Sequence, residues 1–184
     1  MSSVTDPYQP VESKLCLTRK IVERLLTDQA RLVVQTRSPL VVRDIDLLQR
    51  FHRTRVNMSI PTDSDEIRRF YEPSAPSIEA RLRTVKTLRD AGIPVSICIC
   101  PMLPLKDAAE FASAINACGP SMVTASWFHD SEKPFTATTG VRGVSLNESQ
   151  RWDEAGYRRQ CEVLKNHCTA WTSPSYAFAP PSPD

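Results

Sequence analysis

At 184 residues, with 41% hydrophobic and 24% charged side chains, the chain has the size and composition of one globular domain that buries a single core, which excludes wholesale disorder. No apolar run approaches the roughly 20 residues of a membrane helix, and Met1 to Val4 does not open a charged-then-apolar leader, so a cytoplasmic protein is expected. A net charge of +2 is too small to point to nucleic acid, and six cysteines without CxxC spacing point to reduced thiols.

Along the chain, Pro10 is placed to open a helix whose apolar residues Leu15, Leu17, Ile21, Val22, Leu25 and Leu26 recur at helical spacing. Leu32 to Thr36 is a short β-rich run ended by the turn pair Ser38-Pro39, and a helix is predicted from Arg43 to His52 on Ile45, Leu47, Leu48 and Phe51. A second strand follows at Val56 to Ile60. Asp63 with Glu66 forms a capping-box-like start for a helix reaching Phe70. After the break at Pro73 to Pro76, Ser77 caps a longer helix carrying Leu82, Val85, Leu88 and Ala91, stopped at Gly92. Ile93 to Cys100 is apolar almost throughout, as strands covered on both faces are. A helix over Lys106 to Cys118 and a strand over Ser121 to Phe128 complete the alternation. His129 to Leu146 is polar and turn-rich, Asn147 with Gln150 starts a last helix to Asn166, and the Pro-rich segment 169–184 reads as a disordered tail behind a domain of residues 1–168.

Strands alternating with helices predict an α/β fold with right-handed βαβ crossovers and one parallel sheet. In such sheets ligands bind at the carboxyl ends of the strands, which nominates Thr36 to Ser38, Ser59 to Thr62, Pro101 to Pro104 and Trp127 to His129, with Thr5 and Asp6 as a fifth stretch. Arg37 directly follows a strand and suits a carboxylate or phosphate ligand, or else is a surface arginine; Ser59 can donate to a ligand oxygen or bond to backbone. Thr5 and Asp6 read equally as turn chemistry. His129 is the strand-end histidine and so the acid/base candidate, while Cys98 and Cys100 share one strand face opposite Ile97 and Ile99. Cys161, His167 and Cys168 lack the spacing of a tetrahedral zinc site. Arg37, Arg43, Arg50, Arg53, Arg55, Arg68 and Arg69 are expected to form a solvated face. With five glycines, no Gly-rich phosphate loop, no GxSxG and no HExxH, a conventional nucleotide or hydrolase fold is disfavoured.

Five segments occur in a fixed order: TDPYQPVE from Thr5, QTRSPLVVRD from Gln35, VNMSI from Val56, EPSAPSIEARL from Glu72 and AGIPV from Ala91. This series resembles the radical S-adenosylmethionine (SAM) superfamily, near the spore photoproduct lyase and DNA repair photolyase-like group. The resemblance implies a partial parallel (β/α) barrel of six strands, of which about four remain here, holding SAM and a [4Fe-4S] cluster at the strand ends. It also implies that Thr5, Arg37 and Ser59 contact SAM. The family's CxxxCxxC loop is absent from the sequence, so the resemblance is to the carboxyl-terminal part. A truncated barrel, inactive alone, is therefore expected, with an N-terminal fragment carrying CxxxCxxC as partner. Such truncation would expose the apolar faces of the Leu32 to Thr36 strand and lower solubility. The hydrogen-donating cysteine of the lyase has no counterpart near Ser3, so that enzyme's DNA reaction is not expected. The competing reading is a noncatalytic half-barrel binding or assembly protein that contacts nucleic acid through its arginines.

Overall fold

A computed structural model describes residues 5–127 and 152–181. In chain order the elements are α1 (Glu12–Leu15), α2 (Leu17–Thr27), β1 (Leu32–Thr36), a 3-10 helix (Pro39–Asp44), α3 (Ile45–Leu48), β2 (Thr54–Ser59), α4 (Asp65–Tyr71), α5 (Ile78–Asp90), β3 (Val95–Ile99), α6 (Ala108–Cys118), β4 (Met122–Ala125), α7 (Glu154–His167) and α8 (Pro174–Phe178). The strands form one parallel sheet in the order β1-β2-β3-β4. This is the α/β sheet of a partial β/α barrel.

Strand register divides the sheet into two unlike faces. Val34 pairs with Val56 and Val56 with Val95, while Met58 pairs with Ile97 and Ile97 with Val123, giving an apolar face against which α5 packs with buried Val85 and Leu88. One residue over, Gln35 pairs with Asn57 and Asn57 with Ser96, and Ser59 pairs with Cys98 and Cys98 with Thr124. Because side chains alternate along a strand, these polar residues share the opposite face.

Several elements differ from the sequence reading, each for a local reason. The helix predicted to run on from Pro10 breaks at Cys16, which adopts φ 50°, because the Glu12 side chain turns back to accept the Leu17 N–H at 2.9 Å and so caps α2. The helix predicted from Arg43 to His52 is a 3-10 helix followed by one α-turn. Pro39 starts the 3-10 segment, and the fully buried Asp44 side chain ends it by turning into an ionic cluster with Arg43 and Arg19. Ser64 rather than Asp63 caps α4, since Asp63 accepts the N–H groups of Lys106 at 2.8 Å and Asp107 at 2.9 Å instead. Ser77 caps α5 as predicted. Gly119 ends α6 at φ 63°, where a Cβ would come within 2.8 Å of the Arg89 guanidinium.

The largest difference is at the carboxyl end. In place of a disordered segment 169–184, the described part pairs Trp171 with Val123 in a parallel bridge, then forms α8 with Ala177 fully buried. Composition misses this because the groups that satisfy this backbone, Arg55 and Asn57, lie more than a hundred residues earlier. In the β1 strand Leu32 and Val34 are buried and Val33 is half-buried. Phe128, His129 and Asn147 lie outside the described residues, as do Ser3 and the last three residues. Among the described residues no helix is long and apolar enough to cross a membrane.

Candidate functional site

At the carboxyl end of β1 the first two sequence motifs lock onto each other. Asp6 accepts the Thr36 hydroxyl at 2.6 Å and the Arg37 N–H at 2.8 Å, and it also accepts the Tyr8 N–H at 2.9 Å. Behind it the Thr18 hydroxyl donates to the Pro7 carbonyl. Tyr8 donates its phenol hydroxyl to Asp44 at 3.0 Å. Glu12 pairs with Arg43 at 2.9 Å, and Arg43 with Asp44 at 2.7 Å. Arg19 bridges Asp44 at 3.1 Å and Asp46 at 2.7 Å. Burial alone would push the Asp44 carboxyl up, but hydrogen bonds from Arg43, Arg19 and Tyr8 outweigh it and hold the group below the usual carboxylate range. Burial, and then the Asp44 charge, drive the Tyr8 phenol upward, so it stays a protonated donor.

The third and fourth motifs are joined by a relay. Arg37 donates from Nη1 to Glu72 Oε1 at 2.7 Å, Glu72 Oε2 accepts from Arg81 Nη2 at 2.7 Å, and Arg81 Nη1 donates to the Ser59 carbonyl at 2.9 Å. Arg81 is fully buried and also donates to the Pro76 carbonyl at 3.1 Å. The Pro73 to Pro76 break thereby brings Glu72 over the strand ends.

The three residues nominated from sequence therefore lie on segments tied to one rim. Thr5 is exposed and precedes the Asp6 clamp; Arg37 follows β1 with its side chain 47% exposed; Ser59 ends β2 with its side chain on the polar face. Sequence reasoning passed over Glu72 and Arg81 as functional residues, although a signal existed. Arg81 falls on the apolar stripe of α5 with Ile78, Val85 and Leu88, a place where a guanidinium needs a buried partner.

Other expectations change with burial. Arg43 and Arg68 are tied into ion pairs and Arg55 is buried on the sheet, so these arginines are internal struts rather than a solvated face. Cys98 and Cys100 are both held upward by burial, Cys100 at about 11, which keeps them as thiols. Beside them Tyr157 reaches the Ala125 carbonyl at 3.4 Å and stacks near Trp127 with ring centroids 5.3 Å apart. His167 bonds the Val163 carbonyl at 2.8 Å. Among the described residues no group of three or more His, Cys, Asp or Glu is placed to hold a metal ion.

The profile of the Radical SAM superfamily matches residues 2–117, which contain the whole of this rim. The chain belongs to the radical SAM superfamily. Intact members of that superfamily use SAM and a [4Fe-4S] cluster. An uncharacterized protein of Methanocaldococcus jannaschii is 29% identical over 169 residues, covering 90% of this radical SAM chain and 59% of the archaeal protein. An uncharacterized protein of Acidianus two-tailed virus is 34% identical over 111 residues, covering 60% of this chain and 36% of its own length. The chain thus spans between about a third and three fifths of these relatives. Among solved structures, spore photoproduct lyase complexed with dinucleoside spore photoproduct superposes with a TM-score of 0.55 at 14% identity, covering 89% of this chain and 57% of the lyase, which establishes the shared fold.

Proposed function

We propose that this chain is the SAM-binding side of a radical SAM protein and that Arg37, Ser59 and Thr5 hold the amino-acid end of SAM. The observation that carries the reading is the rim itself: four sequence motifs converge through ion pairs and hydrogen bonds on the carboxyl ends of β1 and β2. Glu72 takes a donor from one nitrogen of Arg37, and the side chain is 47% exposed, so its other nitrogens can take a ligand carboxylate. Ser59 supplies a hydroxyl from the neighbouring strand, and Thr5 a second from the clamped loop. These groups fit the charged tail of SAM; when bound, SAM supplies the sulfonium centre from which the family's radical derives.

The cluster does not fit these residues. The sequence has no CxxxCxxC, and the described cysteines, three of them buried and three half-buried, do not gather at a metal-holding centre. No radical step is therefore assigned to this chain; the reading requires a partner segment that carries the three-cysteine loop. Part of the surface suits such a partner, because Val11, Leu15, Leu17 and Ile21 on the first two helical segments are exposed.

Isothermal titration of the full chain with SAM tests the first half. Binding that weakens about tenfold in Arg37→Ala is expected, the size of one lost hydrogen bond to a charged group; absence of SAM binding by the unaltered chain overturns it. Anaerobic reconstitution with iron and sulfide tests the second, and a stoichiometric cluster on this chain alone would sink it.

A further inference from the structure

We infer that Glu72 is a positioning residue for the SAM carboxylate, acting through Arg37, with Arg81 as its buried anchor; the inference rests on the reading of Arg37 given above. Arg37 stands on a loop after the end strand, with its side chain 47% exposed, and a free arginine there would sample many rotamers. Glu72, only 14% exposed, fixes one nitrogen of that guanidinium at 2.7 Å. What fixes Glu72 in turn is Arg81, whose side chain is wholly buried and whose other donors are taken by the Ser59 and Pro76 carbonyls. The two strand ends nominated for SAM are thus joined by one chain of contacts, Arg37 to Glu72 to Arg81 to the Ser59 backbone. A carboxylate set between two guanidiniums, one buried and one open, holds the open one in place without neutralising it. Ligand binding then meets an arginine whose ordering entropy is already spent.

Neither Glu72 nor Arg81 is placed to touch the ligand in this account, so their effect should depend on Arg37 and on the ligand's carboxylate. The full chain is titrated with SAM and with decarboxylated SAM, as unaltered protein, Glu72→Ala, Arg37→Ala and the double variant, with thermal melts confirming a folded state. Glu72→Ala is expected to weaken SAM about tenfold, leave decarboxylated SAM within about twofold, and add nothing in the Arg37→Ala background. Should Glu72→Ala not fold, Glu72→Gln replaces it: the amide keeps one arginine contact, and about a threefold loss confined to SAM is expected. Equal losses for both ligands, or a Glu72 effect that persists without Arg37, would show a merely structural role and overturn the inference. An Arg37→Ala loss with no Glu72 effect overturns it alone. No effect of Arg37→Ala removes the underlying reading instead.

Discussion

Arg37 and Arg55 belong to adjacent strand segments of one sheet, yet they meet opposite fates. Arg37 lies past the carboxyl end of β1, where a carboxylate holds one of its nitrogens and the side chain is half-exposed. Arg55 lies near the amino end of β2, only 5% exposed, and donates to the carbonyls of Ala177 and Ala179 at 2.6 Å and of Tyr176 at 3.3 Å. Among the described residues no carboxylate pairs with it, and burial lowers its proton affinity below that of an ordinary arginine. Asn57 adds a bond to the Ala177 carbonyl at 2.8 Å. The end of α8 is thus sealed onto the polar face by Arg55 and Asn57. An arginine is available for recognition where one carboxylate oxygen holds one of its nitrogens at a half-exposed rim, and closed where it is buried against backbone carbonyls.

The sharpest way to break this comparison is to cut the cluster that builds the open rim. Asp44→Asn removes the charge between Arg43 and Arg19 in a fully buried setting and should cost about 3–5 kcal/mol in denaturant unfolding. A loss below about 1 kcal/mol, the range of a surface ion pair, would mean the rim is not held by this network. The same network gives acid sensitivity. Asp44 lies below its ordinary value and Asp46 is lowered from 3.8 to about 2 by its hydrogen bonds from Arg19, so both contribute stability above the unfolded value that is lost as pH falls through the folded one. Melting temperature should therefore drop as pH is lowered from about 4 toward 2, and Asp44→Asn should flatten that drop.

At the sealed end, Arg55→Met takes the guanidinium donor from the Ala177 and Ala179 carbonyls, leaving Asn57 on Ala177, and should cost about 2–3 kcal/mol by the same unfolding measurement, with SAM affinity unchanged within about twofold. Weakened SAM binding there would erase the distinction between the two ends. For the open end the pattern reverses: Arg37→Ala should change stability by less than about 1 kcal/mol while weakening SAM. Thr5→Val is the mildest, with affinity down about threefold and no shift in melting temperature.

Much of the fold was legible because it follows from local pattern. The apolar runs at Leu32 to Thr36 and Val95 to Ile99 and the cap at Ser77 each act within a few residues. The break at Cys16 was not legible, since it depends on where the Glu12 carboxylate goes, and that is set jointly by Arg43 and the α2 amino terminus. Of the site, Arg37 and Ser59 could be nominated from their place after strands. Arg81 left a signal in its place on the apolar stripe of α5, whereas Glu72 left none, because its meaning lies in a contact across the Pro73 to Pro76 turn.

By itself, the sequence determined the alternation of strands and helices, the parallel sheet, the membership of the radical SAM superfamily carried by five ordered motifs, and the strand-end position of the candidate ligands. Only the tertiary structure decided which charges serve as struts and which stay open, and that a Pro-rich carboxyl segment folds against the sheet. The reason is physical: periodicity and capping act over a few residues, whereas the availability of a buried or half-buried charge depends on partners that the chain brings together from 35 to 124 positions away.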